Sequence, residues 1–129
     1  MEILEFDKSL LINLLEQAKV SLRLRQHFDL RTSTADTSQR MMNALQLNTE
    51  VPIHRHEETS ETVVCLCGKL EEIFYEEIES GAEFKETARY LLCPDEGKYG
   101  IQIPAGVWHT INVLEPSVIF ESKDGAFNK

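Results

Sequence analysis

Apolar residues recur at helical spacing near the start of the chain. Between residues 10 and 18 they lie three or four positions apart, as Leu10, Leu11, Leu14, Leu15 and Ala18. This period is typical of an amphipathic helix that buries one face. Asp7 and Ser9 precede the pattern, and either side chain can cap a first helical turn. The pattern therefore predicts a short N-terminal α-helix.

The next segment, from residue 21 to residue 38, is polar and shows no such period. Its run TSTADTS is typical of a surface loop. From Gln39 onward, short apolar segments alternate with turn residues, which predicts strands at 39–47, 51–56, 61–67, 69–76, 83–93, 98–103, 107–114 and 117–123. The intervening turn residues are Asn48, Gly68, Glu79-Ser80-Gly81, Pro94 to Gly97, Pro104 to Gly106 and Glu115-Pro116.

A helix followed by this many short strands predicts an all-β fold of the jelly-roll type, in which closing the sheet protects the strand edges. The chain has 129 residues, a length that suits one domain. Within that domain, we expect residues 1–38 to form the helix and a polar loop that pack on a barrel formed by residues 39–129.

Composition and charge narrow the possible partners. The chain is 42% hydrophobic and 27% charged, as in an ordinary globular protein. It has no apolar run near the roughly 20 residues that span a bilayer, and its start, MEILEFDK, does not resemble a secretory signal. The net charge of -9 disfavours nucleic acid and anionic membranes as partners. We therefore expect a cytoplasmic protein with a small-molecule ligand.

The three cysteines do not indicate a disulfide framework or a thiolate metal site. Cys65, Cys67 and Cys93 are odd in number and contain no CxxC pair. Cys65 and Cys67 alternate along a predicted strand, where free cysteines usually behave as small buried apolar groups. We expect all three to be reduced.

The histidines suggest a metal site. His54 and His56 are two residues apart, so both imidazoles leave one face of an extended strand. Glu61 begins the apolar strand ETVVCLC, and a hairpin between the two segments would bring it beside the histidines. His109 follows the turn Pro104-Ala105-Gly106 at the start of another strand and can supply a third imidazole.

Three imidazoles and one carboxylate suit a single divalent transition metal such as Fe, Mn, Ni, Co, Cu or Zn, and not calcium, which prefers oxygen ligands. In an octahedral site, four protein ligands leave two positions open for water, oxygen or substrate. Each residue alone has a simpler explanation, because an HxH pair is often a surface feature and His109 beside Trp108 can be a core histidine.

Two segments resemble the motifs of the cupin superfamily. Residues 48–68 are similar to the first motif, G-x5-HxH-x4-E-x6-G, except that Asn48 replaces the opening glycine. Residues 98–113 are similar to the second motif, G-x5-PxG-x2-H-x3-N, through Pro104, Gly106 and His109. Lys98 and Val113 depart from its first and last positions. The resemblance implies a cupin-type jelly-roll β-barrel with His54, His56, Glu61 and His109 as metal ligands.

A narrower resemblance, to the WbuC family of cupin-fold metalloproteins, extends over nearly the whole chain. It is carried by SLRLRQHFDL, QRMMNALQLNTEVPIHRHEE and GIQIPAGVWHTINVLEPSVIFESKDGAF. The WbuC family is named from genes in bacterial O-antigen and surface-polysaccharide clusters, which implies a sugar or sugar-nucleotide ligand. Its reaction is not established.

Four further polar residues match positions of that family's pattern. The resemblance implies substrate-binding roles for Arg40, Asn43 and Lys123, and Glu121 is the carboxylate we would test first as a general base. Arg40 and Asn43 face opposite sides of a regular strand, so both reach one cavity only if the strand bulges.

Three functions remain open from the sequence. The first is a metal-dependent enzyme that acts on a small polar molecule, such as a sugar derivative, by isomerisation, epimerisation or oxygenation. The second is a non-catalytic module that binds a metal or metabolite, and the third is a metal-free sugar epimerase. Trp108 and Tyr99 either stack on a sugar or pack in the core. Because the strand after Glu61 is apolar on both faces, we expect its outer face to be covered by the N-terminal helix or by a second subunit, and we predict a homodimer.

Overall fold

The computed structural model describes residues 2–79 and 83–125. One helix and six strands follow each other as α1 (Lys8–Lys19), β1 (Arg25–Asp29), β2 (Ser38–Leu45), β3 (Glu61–Ile78), β4 (Glu83–Leu92), β5 (Gly100–Ile103) and β6 (Trp108–Asp124). A short 3-10 turn, Pro94–Glu96, lies between β4 and β5. The fold is mostly antiparallel β-structure with one helix, which confirms the predicted jelly roll.

The helix begins where the sequence predicts it. The side chain of Asp7 accepts a hydrogen bond of 3.0 Å from the backbone N–H of Leu10, which satisfies one of the free donors at a helix N-terminus. Leu14 and Ala18 are buried on one face of α1. This face contacts the outer surface of the sheet, so the helix is held in place by apolar packing.

The sheet has the strand order β1-β2-β6-β3-β4, and β5 also pairs with β3. β3 and β6 are long, and each unites two of the strands predicted from the sequence. The register of β3 against β6 shifts between Cys65 and Leu70, and Gly68 has a left-handed φ of +95° at this point. A side chain at Gly68 would overlap the carbonyl oxygen of Pro116 and Ser117. The glycine therefore marks a bulge inside a continuous strand, not its end.

Two expectations about the chain before β3 were wrong. The predicted polar loop contains β1, which pairs with β2 from Arg25 opposite Leu45 to Asp29 opposite Met41. This strand is held by backbone pairing to a neighbour, which a polar sequence does not prevent. The predicted strand at 51–56 is reduced to a single bridge between His54 and His109. The predicted turn at residues 79–81 lies mostly outside the described residues.

Two apolar clusters lie on opposite sides of the sheet. The inner cluster is formed by Leu45, Val63, Cys65, Leu70, Phe74, Leu92, Ile103, Val113 and Ile119. The outer cluster joins α1 to β2 and β6 through Leu14, Ala18, Met42, Ala44 and Val118. The helix thus covers part of the outer face of the sheet. This is one of the two ways of covering that face that we expected from the sequence.

The three cysteines are free thiols. Burial raises the pKa of the Cys65 thiol to about 12, which keeps it in the unreactive neutral form. No helix within residues 2–79 and 83–125 is long and apolar enough to cross a membrane.

Candidate metal centre and ligand cavity

Three histidines converge inside the fold. One ring nitrogen from each of His54, His56 and His109 lies within 4.8 Å of those of the other two. The backbone fixes this arrangement, because the N–H of His54 donates to the carbonyl of His109 at 3.0 Å and the N–H of His109 donates back at 2.8 Å. The single bridge that replaces the predicted strand therefore aligns two of the three imidazoles.

Backbone carbonyls orient two of the rings. Nδ1 of His54 lies 2.9 Å from the carbonyl oxygen of Pro52, and Nδ1 of His109 lies 2.9 Å from that of Val107. A carbonyl only accepts, so each Nδ1 carries the proton and each Nε2 keeps a free lone pair. Burial also lowers the pKa of His54, which favours the neutral ring that a metal requires.

Glu61 stands at the first position of β3, beside the histidines. Its Oε2 lies 3.4 Å from Nε2 of His56, and its Oε1 lies 3.7 Å from Nε2 of His109. Burial acts to raise the pKa of Glu61, but the neighbouring rings of His109 and His56 outweigh it and lower the pKa to about 2. Glu61 is therefore a carboxylate at neutral pH.

The residues present fit a divalent transition metal. Nε2 of His56 and Nε2 of His109 are buried and have no hydrogen-bond partner within the described part of the chain. Ligand atoms about 2 Å from one ion are separated from each other by about 3 to 4 Å, which is compatible with the observed cluster. The mixed nitrogen and oxygen donors suit first-row transition metals.

A cavity of about 430 Å³ adjoins the three histidines and Glu61. Its walls also contain four polar side chains, Gln39, Asn43, Glu72 and Glu121, and two basic side chains, Arg25 and Lys123. The volume lies in the range that encloses small molecules. The structure thus brings Asn43, Glu121 and Lys123 to the same space as the histidines.

Glu121 has an unusual electrostatic environment. Burial raises the pKa of Glu121 to about 8, the charge of Glu61 adds to this shift, and a hydrogen bond from Asn43 opposes it. At neutral pH the Glu121 side chain is therefore mainly a neutral carboxylic acid. It lies opposite Val63 in the pairing of β6 with β3, and Val63 lines the same cavity.

Arg40 is not among the residues that line the cavity. Its Nη1 lies 3.1 Å from Oδ2 of Asp36 and donates to the carbonyl of Ser38 at 2.6 Å. β2 pairs with β6 in an unbroken register, so Arg40 faces the opposite side of the strand from Asn43. Arg40 and Asn43 could both reach one cavity only if β2 contained a bulge, and β2 contains none.

The two candidate aromatic residues also lie elsewhere. The Trp108 ring packs edge-on against Phe84, with 5.0 Å between centroids, and the guanidinium of Arg55 lies 4.5 Å from its centroid. Tyr99 is exposed and lines a separate groove with Tyr90. Neither Trp108 nor Tyr99 lines the cavity beside the histidines.

The sequence analysis did not single out Arg25, Gln39 or Glu72 as residues of the site. Glu72 lies in an acidic stretch whose neighbours suggest a solvated strand. A signal was present, because Glu72 alternates with Leu70 and Phe74, which both face the inner core. Arg25 was assigned to the predicted loop, and only the pairing of β1 with β2 brings it to the cavity.

Where the sequence departs from the glycines of the cupin motifs, the backbone at or next to that position still adopts the left-handed conformation that glycine favours. Asn48 has a φ of +72°, a left-handed conformation that glycine adopts freely and asparagine tolerates better than most residues. Gly97, adjacent to the departing Lys98, has a φ of +76° and ends the 3-10 turn. The conformations that the motif glycines supply are thus present.

Comparison with solved structures places the fold among the cupins. The capsular polysaccharide assembling protein CapF from Staphylococcus aureus superposes with a TM-score of 0.64 at 21% identity, over 84% of this chain and 30% of CapF. KdgF from Halomonas sp. gives a TM-score of 0.62 at 14% identity, over 84% of both chains. The Schizosaccharomyces pombe Cnp3 cupin domain gives 0.58 at 11% identity, over 78% of this chain and 64% of that one. This chain spans less than a third of the CapF chain.

The protein therefore has a cupin-type fold with a candidate divalent-metal site. Residues 6–87 match the family described as a domain of unknown function, DUF6016. The chain belongs to this family. No curated protein matches the sequence.

Proposed function

We propose that the chain is a metal-dependent cupin that binds a small polar molecule beside one divalent transition metal. His54, His56, Glu61 and His109 would hold the ion, which is one of Fe, Mn, Ni, Co, Cu or Zn. The observation that carries the proposal is the convergence of three imidazoles and a carboxylate at one polar cavity. It is supported by the buried Nε2 atoms of His56 and His109, which have no hydrogen-bond partner among the described residues.

When bound, such an ion acts as a Lewis acid on an oxygen of the ligand. The protein contributes the rest of the site. The carbonyls of Pro52 and Val107 hold two imidazoles in the tautomer that leaves Nε2 free. Arg25 and Lys123 provide positive charge for an anionic group of the ligand, such as a carboxylate or phosphate.

The first candidate function is an enzyme that isomerises, epimerises or oxygenates a sugar or sugar-nucleotide derivative. Glu121 is then the group that moves a proton, since its pKa of about 8 lies near the operating pH. The resemblance to the WbuC family suggests bacterial surface-polysaccharide biosynthesis as the setting. The fold similarity to CapF, a capsular polysaccharide assembling protein, is consistent with this setting.

The second candidate function is a non-catalytic module that binds a metal or metabolite. It is favoured by the environment of Glu121, because a carboxyl group that is mainly neutral at pH 7 is seldom in the carboxylate form that can accept a proton. Ligand-induced thermal shifts without product formation would favour this function. A cytoplasmic location and a homodimer remain predictions from the sequence.

The test is elemental analysis of protein purified without an affinity tag or chelator. We expect about one equivalent of a first-row metal in the wild type and a loss of metal affinity of about 10-fold or more in His56→Ala and Glu61→Ala. His27→Ala is the matched control, because His27 is an exposed histidine that does not line the cavity. It should retain the metal.

An absence of metal from the wild type, even after reconstitution, would contradict the proposal. A metal-free carbohydrate-binding or epimerase barrel would then be the better interpretation. Equal metal content in His27→Ala and His56→Ala would also contradict it, because the ion would then be bound elsewhere.

A further inference from the structure

The cavity wall contains polar atoms that the metal centre does not explain. Oε1 of Gln39, Oδ1 of Asn43 and Oε1 of Glu72 are buried and accept no hydrogen bond from any described residue. Gln39 is 3% exposed and Glu72 is 2% exposed. Buried polar groups are nearly always paired, so three unpaired acceptors on one cavity wall require an explanation.

These three acceptors come from two different strands. Gln39 and Asn43 are four residues apart on β2, so both face the same side of that strand. Glu72 lies on β3 opposite Ile111 of β6, and Ile111 lines the cavity as well. The acceptors are therefore brought together by the sheet and not by a local turn.

Neighbouring groups fix the chemical character of two acceptors. Asn43 donates a hydrogen bond to Glu121, so the amide nitrogen is engaged and the oxygen is the free atom. Glu72 forms no ion pair with any cation in residues 2–79 and 83–125. Burial raises the pKa of Glu72 well above its usual range, and the charges of Glu121 and Glu61 add to the effect. The shift favours the neutral carboxyl of Glu72, and its unpaired Oε1 can accept a hydrogen bond.

We infer that Gln39, Asn43 and Glu72 form an acceptor set that binds a polyhydroxylated ligand and determines its specificity. A ligand with several hydroxyl groups supplies the donors that these acceptors lack. A ligand whose single oxygen function is bound at the metal leaves the three acceptors unpaired. A site built to hydrogen-bond ligand hydroxyls discriminates strongly against analogues that lack them. The inference deepens the proposed function by naming the class of ligand. It rests on the proposed function in one respect only, namely that the remaining oxygens of the ligand bind at the metal.

A matched pair of probes separates the acceptor set from the metal. Quinate and 1-hydroxycyclohexanecarboxylate share the same six-membered carbon ring and the same α-hydroxycarboxylate, which can chelate a metal. Quinate has three additional ring hydroxyls. Titration calorimetry should show that wild-type protein binds quinate at least about 10-fold more tightly, since each satisfied acceptor adds favourable free energy.

Two substitutions at Glu72 test the acceptor directly. Glu72→Met removes one of the three acceptors at similar volume and should reduce the preference for quinate by about threefold or more, whereas Glu72→Gln keeps an acceptor oxygen and should retain it. Arg40→Met is the matched control, because Arg40 lies on the same strand as Gln39 but faces away from the cavity. It should leave the preference unchanged. Removal of an unpaired buried acceptor should also raise the Tm of Glu72→Met by several degrees.

The same titrations in protein stripped of metal distinguish this inference from the proposed metal site. Loss of the ion should weaken both probes equally because they share the chelating group, whereas loss of Glu72 should weaken only quinate. Equal affinity of the wild type for the two probes, or no binding of either up to the solubility limit, would overturn the inference. A quinate preference that is undiminished in Glu72→Met would overturn it as well.

Discussion

The two faces of β2 differ in how completely their buried groups are satisfied. On the outer face, Met42 and Ala44 are fully buried against Leu14 and Ala18 of α1. On the inner face of the same strand, Gln39 and Asn43 carry acceptor oxygens that have no partner among the described residues. One strand thus contributes to an apolar interface on one side and to a polar cavity on the other.

The outer face of β2 therefore contributes mainly to stability, and the inner face contributes mainly to the candidate site. Apolar burial under α1 lowers the free energy of the folded state without demanding any partner. Unpaired polar groups in the cavity do the opposite, and such local violations of the packing rules are typical of functional sites. We therefore expect substitutions on the two faces to change the free energy of unfolding in opposite directions.

The largest effect is expected for Leu14→Ala on the outer face. Leu14 is 4% exposed, so its truncation should lower the free energy of unfolding by about 2 to 5 kcal/mol. Urea denaturation measures this loss, and metal content per folded chain should not change. Ile12→Ala, at an exposed position of the same helix, should stay within about 0.5 kcal/mol of the wild type. A loss of metal in folded Leu14→Ala would show that the two faces are not independent.

An intermediate effect of opposite sign is expected for Gln39→Met on the inner face. Methionine has a similar shape and removes the unpaired amide oxygen, so the free energy of unfolding should rise by about 1 kcal/mol. The same urea experiment measures the gain. Arg40→Met, on the other face of β2, loses a half-buried ion pair with Asp36 and should give no gain. A Gln39→Met protein less stable than the wild type would mean that the amide is already satisfied.

A third effect depends on pH and concerns Glu121. Its pKa is about 8 in the folded chain and 4.5 for an ordinary glutamate, so protonated Glu121 stabilises the folded state. This contribution is fully present below about pH 4.5 and is lost as the pH rises through about 8. In metal-stripped protein, Glu121→Gln should therefore flatten the fall in Tm between pH 5 and pH 8.

A part of that slope should remain in the Glu121→Gln protein, because burial also raises the pKa of Glu72. Glu61 acts in the opposite direction, since its pKa is lowered to about 2 and its contribution is lost only under more acidic conditions. Parallel Tm profiles for wild type and Glu121→Gln from pH 5 to pH 8 would contradict the assignment of Glu121 as a neutral acid.

How far the sequence predicted the molecule depends on the range of the interactions involved. The helix, its Asp7 cap and most strands follow from local periodicity. β1 was missed because its residues are largely polar and only pairing with β2 makes them a strand. The segment around His54 was predicted as a strand but contains only one bridge, since local alternation does not show how many neighbours a segment finds.

The sequence by itself determined the jelly-roll class and the residues of the candidate metal centre, because motif spacing and hydrophobic period are properties of short segments. Only the tertiary structure decided that Asn43 faces the cavity while Arg40 faces away, and that Arg25, Gln39 and Glu72 belong to the same wall. The physical reason is that strand register and sheet order join residues far apart in the chain. Register decides which of two alternating faces each side chain takes, and a local pattern cannot fix it.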